Sequence, residues 1–112
     1  MVNYHNRVFR TQSNSDNGET SDETEFHYKQ VGNIVFADYS GGNIKYGHLL
    51  GKVSEYGTIE MRYHQINLSG QLMTGRCESI PEILENGKIR LHETCQWTSG
   101  DLSKGKSIVE EI

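Results

Sequence analysis

Residues Asp38 to Tyr46 read Asp-Tyr-Ser-Gly-Gly-Asn-Ile-Lys-Tyr: apolar and polar residues alternate, two glycines intervene, and alternation resumes. A Gly-Gly pair in this setting has two readings. It cradles a phosphate if a helix follows, because the helix N-terminus then offers free N–H groups. It reverses a strand if period-two alternation follows, because glycine supplies the positive φ of a tight hairpin. Alternation follows here, so Gly41-Gly42 reads as a hairpin turn.

The same signal recurs along the chain. Asn17-Gly18, Val31-Gly32, Tyr56-Gly57, Ser69-Gly70, Asn86-Gly87 and Ser99-Gly100 separate segments rich in Val, Ile, Thr and Tyr. Only Ser79–Asn86 hints at a helical period. Short strands at even spacing with turn signals between them predict an all-β domain. The expected fold is an eight-stranded antiparallel up-and-down meander closing into a barrel. Its strands fall near 3–13, 19–30, 33–40, 43–54, 58–68, 71–80, 88–98 and 105–111. At 112 residues the chain makes one domain, 1–112.

Reading each glycine turn as a two-residue loop fixes the register, because the face of one strand then dictates the face of the next. If Ile59, Met61, Tyr63 and Gln65 point inward, so do Ile44, Tyr46, His48 and Leu50, then Val35, Ala37 and Tyr39, then Phe26, Tyr28 and Phe9. In the other direction Leu72, Thr74, Arg76, Glu78 and Ile80 follow, then Ile89, Leu91, Glu93, Cys95 and Trp97. The opposite face collects Glu25, His27, Lys29, Asp38, Lys45, Glu60, Arg62, His64, Lys88, Arg90, His92 and Gln96. The loop around Asn17-Gly18 reads as a long, solvent-exposed hairpin tip.

This inner face contains His48, Gln65, Thr74, Arg76, Glu78 and Glu93 among its apolar residues. Buried charge is costly unless paired, so Arg76 is expected beside Glu78, Glu93 or a ligand. One consequence is a polar-aromatic ligand pocket lined by Tyr46, His48, Tyr63, Gln65, Arg76, Glu93 and Trp97, since an eight-stranded barrel can hold one small molecule. The other is a structural network at an open barrel end, with Pro81 bulging the strand and turning Arg76 or Glu78 outward.

Composition and motifs narrow the chemistry. Eleven basic against fifteen acidic residues, with no Lys/Arg run, argue against nucleic acid. No apolar leader or membrane-length stretch occurs, which places the chain in the cytoplasm with no membrane partner. The five histidines are scattered without metal spacing, so no metal site and no cofactor are expected. Cys77 and Cys95 fall on opposite faces in this register, which disfavours a cross-strand disulfide. No G-x-S-x-G elbow is present. Ile34, Phe36, Leu49, Ile66, Met73 and Cys77 fall on the outer face, where an apolar patch predicts a homodimer or higher closed oligomer.

The stretches N-R-V-F-R, F-H-Y-K-Q, Y-S-G-G-N-I, M-R-Y-H-Q, P-E-I-L-E-N-G-K-I-R-L-H-E and Q-W-T-S-G-D cover nearly the whole chain. They resemble a family of small bacterial proteins, often labelled N-acetylglutamate synthase, whose fold is similar to avidin-like eight-stranded barrels. The resemblance implies such a barrel, and the label implies acetyl transfer from acetyl-CoA to glutamate. From the residues themselves, no Q/R-x-x-G-x-G/A loop opening a helix is present to grip a pyrophosphate. Three functions therefore stand: a barrel binding a small polar or acidic metabolite, an interaction domain using the outer patch, and an enzyme. In the last, Arg76 would hold a carboxylate, with Glu93 or His48 as general acid or base.

Overall fold

The computed structural model describes residues 2–112. Eight strands follow one another: β1 (Val8–Asn14), β2 (Glu25–Val31), β3 (Ile34–Gly41), β4 (Ile44–Val53), β5 (Ile59–Asn67), β6 (Leu72–Ile83), β7 (Ile89–Trp97) and β8 (Lys104–Glu111). Each pairs antiparallel with its neighbour in sequence, and β8 returns to β1, so the sheet closes into a barrel. Closure gives each strand two partners and removes the exposed edge that an open meander would leave. Of the Ser79–Asn86 segment, Ser79–Ile83 continue β6 and Glu85-Asn86 open the turn after it, rather than forming a helix. Pro81 pairs with Leu91 of β7, beyond the last β5 partner at Ser79, where no ladder bond on that side is lost. The β6–β7 register is unbroken through it.

The register departs from expectation at several hairpins, three of which carry an extra loop residue. Glu55-Tyr56-Gly57, Leu68-Ser69-Gly70 and Glu85-Asn86-Gly87 are three-residue loops, closed by bonds from Ser54 to Thr58, Asn67 to Gln71 and Leu84 to Lys88. Their glycines have φ of 87°, 79° and 84°. That is the left-handed position which completes a three-residue loop after a type I turn. One extra loop residue exchanges the faces of the strand that follows. Relative to β5, both β4 and β6 are therefore inverted, and the second inversion returns β7 to the expected face. The β3–β4 turn is Gly42-Asn43, one residue later than expected. Register shifts at Tyr39/Gly41 and Ile44/Tyr46 keep β3 and Ile44 on the inner face.

The residues affected are those of β4 and β6. Tyr46, His48, Leu50, Leu72, Thr74, Arg76, Glu78 and Ile80 stand on the outer wall. Tyr46 is 54% and Leu72 65% exposed. Gly47, Leu49, Gly51, Val53, Gly75, Cys77 and Ser79 take the inner positions. Cys77 therefore lies opposite Cys95 on the same face, with Cα atoms 4.1 Å apart, and the two form a disulfide. The outer apolar patch changes membership for the same reason. Leu49 and Cys77 are buried, while Leu50, Tyr46 and Leu72 join Ile34, Phe36 and Ile66 outside.

The interior has two unlike halves. One end is plugged by the segment before β1. Tyr4 is fully buried, its hydroxyl donates to the Gly57 carbonyl, and its backbone N–H donates to Gln30 Oε1 at 2.9 Å. Its ring tilts against Phe9 and Tyr28 at 6.4 and 6.1 Å. Val35, Ile59, Ile89, Leu91 and Val109 complete the packing. The other end is crossed by residues 15–24, which fold inward over the barrel mouth and are not the exposed tip expected from Asn17-Gly18.

Candidate functional site

At the mouth end, small inner residues leave space. Gly47 and Gly75 stand where a Cβ would run into the rings of Tyr39 and Tyr63, so those rings lie close against the barrel wall. The result is a cavity of about 590 Å³ including its open mouth, of which about 70 Å³ admits the centre of a water molecule. A single water needs roughly 10–15 Å³ on that measure, so the space takes several waters or a small organic group.

Two polar systems face this cavity. Glu93 of β7 lies between Ser79 of β6 and Ser107 of β8, its direct cross-strand neighbours. Ser79 Oγ donates to Oε2 and Ser107 Oγ donates to Oε1, each at 2.9 Å. Among the described residues no Lys, Arg or His forms an ion pair with it. Burial raises its pKa above the ordinary glutamate value, against the two serine bonds, which lower it. The second system starts at Tyr39, whose hydroxyl donates to Gln65 Oε1 at 2.7 Å. Gln65 Nε2 donates to Glu19 Oε1 at 2.7 Å, and Asn67 Nδ2 donates to Glu19 Oε2 at 2.8 Å. Glu19 thus ties the capping loop to β5.

The aromatic wall is formed by Phe26 and Tyr39, 4.6 Å apart, and by Tyr63 and Trp97, edge-on at 5.9 Å. Trp97 Nε1 donates to the Asn17 carbonyl at 2.9 Å, a second tie to the capping loop. Asn17 Nδ2 in turn donates to Ser103 Oγ and the Lys104 carbonyl. Burial holds the phenols of Tyr39 and Tyr63 well above the ordinary tyrosine range. Glu93 and Glu19 push both further, and Tyr39 also feels Tyr63. The cavity is therefore acidic in character, with neutral phenols.

Of the seven residues expected to line the pocket, Tyr63, Gln65, Glu93 and Trp97 meet there. Tyr46, His48 and Arg76 do not, because β4 and β6 are inverted. Arg76 donates to Gln96 Oε1 at 2.8 Å on the exposed wall, and Tyr46 donates to Asp38 Oδ1 at 2.9 Å. The inward Arg76–Glu93 pair is thus absent. Ser79, Ser107, Asn17 and Glu19 were not anticipated. Ser79 follows once three-residue loops are assumed, whereas the longer 98–103 connection hides Ser107 and nothing in the alternation places Glu19 over the mouth.

The family model of the avidin-like proteins, described as "Avidin-like protein", matches residues 2–112. The chain belongs to that family. No curated protein matches the chain, and no solved structure does. In this avidin-like barrel the cavity sits inside the closed sheet, and Gln65 of β5, Glu93 of β7 and Ser107 of β8 are among its polar lining.

Proposed function

We infer that this avidin-like barrel binds a small organic molecule in the cavity between Glu93 and the capping loop. The observation that carries this reading is Glu93 itself. A half-buried carboxylate facing the interior, held by two serine hydroxyls and by no cation among the described residues, is a costly feature for packing alone. A ligand offering an amine or amide N–H group would complete its hydrogen bonding. The rings of Phe26, Tyr39, Tyr63 and Trp97 suit a flat or apolar body, in keeping with pockets that combine an apolar lining with a few convergent polar groups. Glu19 and Glu93 are the carboxylates of the lining, and its lysine, Lys106, is exposed. This favours an N–H donor over the acidic metabolite that an inward Arg76 would have suited.

Trp97 is the sole tryptophan, so its emission reports on the cavity directly. Thermal-shift screening against a metabolite panel, with amines, cyclic amides, biotin, glutamate and acetyl-CoA included, should raise the melting temperature for at least one nitrogenous ligand. The same ligand should change Trp97 emission in wild type and lose affinity in Glu93→Gln. A hit that stabilises the protein while leaving both Trp97 and the Glu93→Gln comparison unmoved would place binding elsewhere.

A second reading rests on the outer wall. Phe36 pairs with Leu50, and Tyr46 pairs with Ile66, which pairs with Leu72. These adjacent apolar side chains favour self-association through the β3–β6 face. Light scattering should give a mass above the 12.7 kDa of one chain, and Leu50→Glu should return it to that value.

A further inference from the structure

Cys77, Glu93 and Cys95 occupy one patch of the cavity floor. The cysteines face each other across β6 and β7, and Glu93 lies two residues before Cys95 on the same inner face. One ligand atom from each of the three residues lies within 4.8 Å of the others, and all three residues line the cavity. With the disulfide closed the sulfurs have no free thiolate to offer. A dithiol or phosphine reductant adds two electrons and two protons, breaks the S–S bond and leaves one thiol on each residue. Compartments with a glutathione or thioredoxin system keep most thiols in that state.

The geometry points to a redox-gated metal site: reduced Cys77 and Cys95, with Glu93, hold one thiophilic divalent cation, best matched by Zn²⁺. Two thiolates and one carboxylate form a mixed sulfur–oxygen set that zinc accepts, and softer donors select it over magnesium or calcium. Three protein ligands leave the fourth tetrahedral position open, facing the cavity. Binding displaces both thiol protons to solvent, as ligation requires deprotonated sulfur. Ser79 and Ser107, which donate to the two oxygens of Glu93, would orient the carboxylate from behind, the role outer-shell donors play at metal sites. Oxidation would expel the ion by consuming both sulfurs. This inference stands whether or not the cavity also takes an organic ligand.

The test uses the whole chain, reduced with a phosphine that is then removed without oxygen, and titrated with Zn²⁺ or Co²⁺. One equivalent should bind to reduced wild type, with a thiolate-to-cobalt charge-transfer band, and none to the oxidised protein. Glu93→Gln should weaken zinc by at least about tenfold, given that even outer-shell changes cost roughly 10–100-fold. Zinc should also shield both thiols of the wild type from alkylation, a readout that needs no cysteine variant to fold. Equal affinity in the oxidised and reduced proteins, or cobalt spectra without a thiolate band, overturns the site. Equal affinity of Glu93→Gln and wild type overturns its three-donor form.

Discussion

The two ends of this barrel solve the same packing problem in opposite ways. Both are lined by alternate residues of the same eight strands. At the plugged end those positions hold Phe9, Tyr28, Ile59, Ile89 and Leu91, and Tyr4 enters from outside to fill what remains. At the mouth end the corresponding positions hold Gly47, Gly75, Gly105, Ser79, Ser107, Gln65 and Glu93. Apolar burial of roughly 25 cal/mol per Å² stabilises the first end. The second keeps only part of that gain, through Phe26, Tyr39, Leu49 and Met61, and is held also by the Cys77–Cys95 link and by hydrogen bonds from the capping loop. The solid core and the candidate site thus lie toward opposite ends of the barrel, and substitutions should sort by the end they touch.

Tyr4→Ala should have the largest effect. It empties the plug and removes the bond to Gly57, and large-to-small changes of this kind cost about 3–5 kcal/mol. Urea unfolding followed by circular dichroism measures it, and Trp97 emission in the folded state should stay unchanged. A loss below about 1 kcal/mol would mean that the first residues do not close the barrel.

Opening the disulfide comes next. It joins positions 18 residues apart, and closing a loop of about 15 residues contributes roughly 3 kcal/mol through the unfolded chain. The denaturation midpoint should fall accordingly in phosphine. Cys95→Ser should reproduce the shift, and phosphine should add nothing to the variant. An unchanged wild-type midpoint would show that the mouth end depends on its hydrogen bonds alone.

Gly75→Ala follows, because its Cβ would meet the Tyr63 ring. Overpacking of this kind costs about 1–3 kcal/mol. The ring should be driven toward Trp97, so the emission of Trp97 should change here although it does not in Tyr4→Ala. Both variants having the same spectral effect would erase the distinction between the two ends.

The inward strand residues of the plugged end were legible in the sequence, though not Tyr4, and the mouth end was legible only in part, for a physical reason. Alternation alone identified eight strands and the inner faces of β2, β3, β5 and β7. Face assignment in β4 and β6 turned on whether each glycine ends a two- or a three-residue loop. Tyr56-Gly57, Ser69-Gly70 and Asn86-Gly87 satisfy either, because both need positive φ at glycine. The apolar residues of β4 did not break the tie: Leu50 and Leu49 are adjacent, and either could point inward. Gly47 and Gly75 held the missing information. A glycine paired with a tyrosine on the neighbouring strand makes room for its ring, but this is visible only once the partners are known. Hence Arg76 was expected inside, Cys77 was expected away from Cys95, and the paired serines around Glu93 went unseen. The capping loop was beyond reach, since Glu19 is placed by side-chain bonds to Gln65 and Asn67 rather than by any period.

Glu93→Gln should produce the smallest change and the one most particular to the mouth end. In the unfolded chain Glu93 titrates near its ordinary value of 4.5, while in the barrel burial raises that value. The folded protein then keeps the proton to higher pH than the unfolded chain does. The stabilisation from this difference is complete below the ordinary value and is lost as pH climbs through the raised one. Glutamine cannot ionise, and its amide can still accept from one serine and donate to the other. Wild type should therefore lose stability relative to Glu93→Gln as pH rises from about 4.5, and the difference should then level off. Glu19 is common to both proteins and cancels in the comparison, and the phenols of Tyr28, Tyr39 and Tyr63 titrate far above this range. Urea midpoints of the pair at several pH values give the slope. A flat difference, or one of opposite sign, would mean that Glu93 meets water freely. The mouth end would then be an open vestibule rather than a shaped cavity.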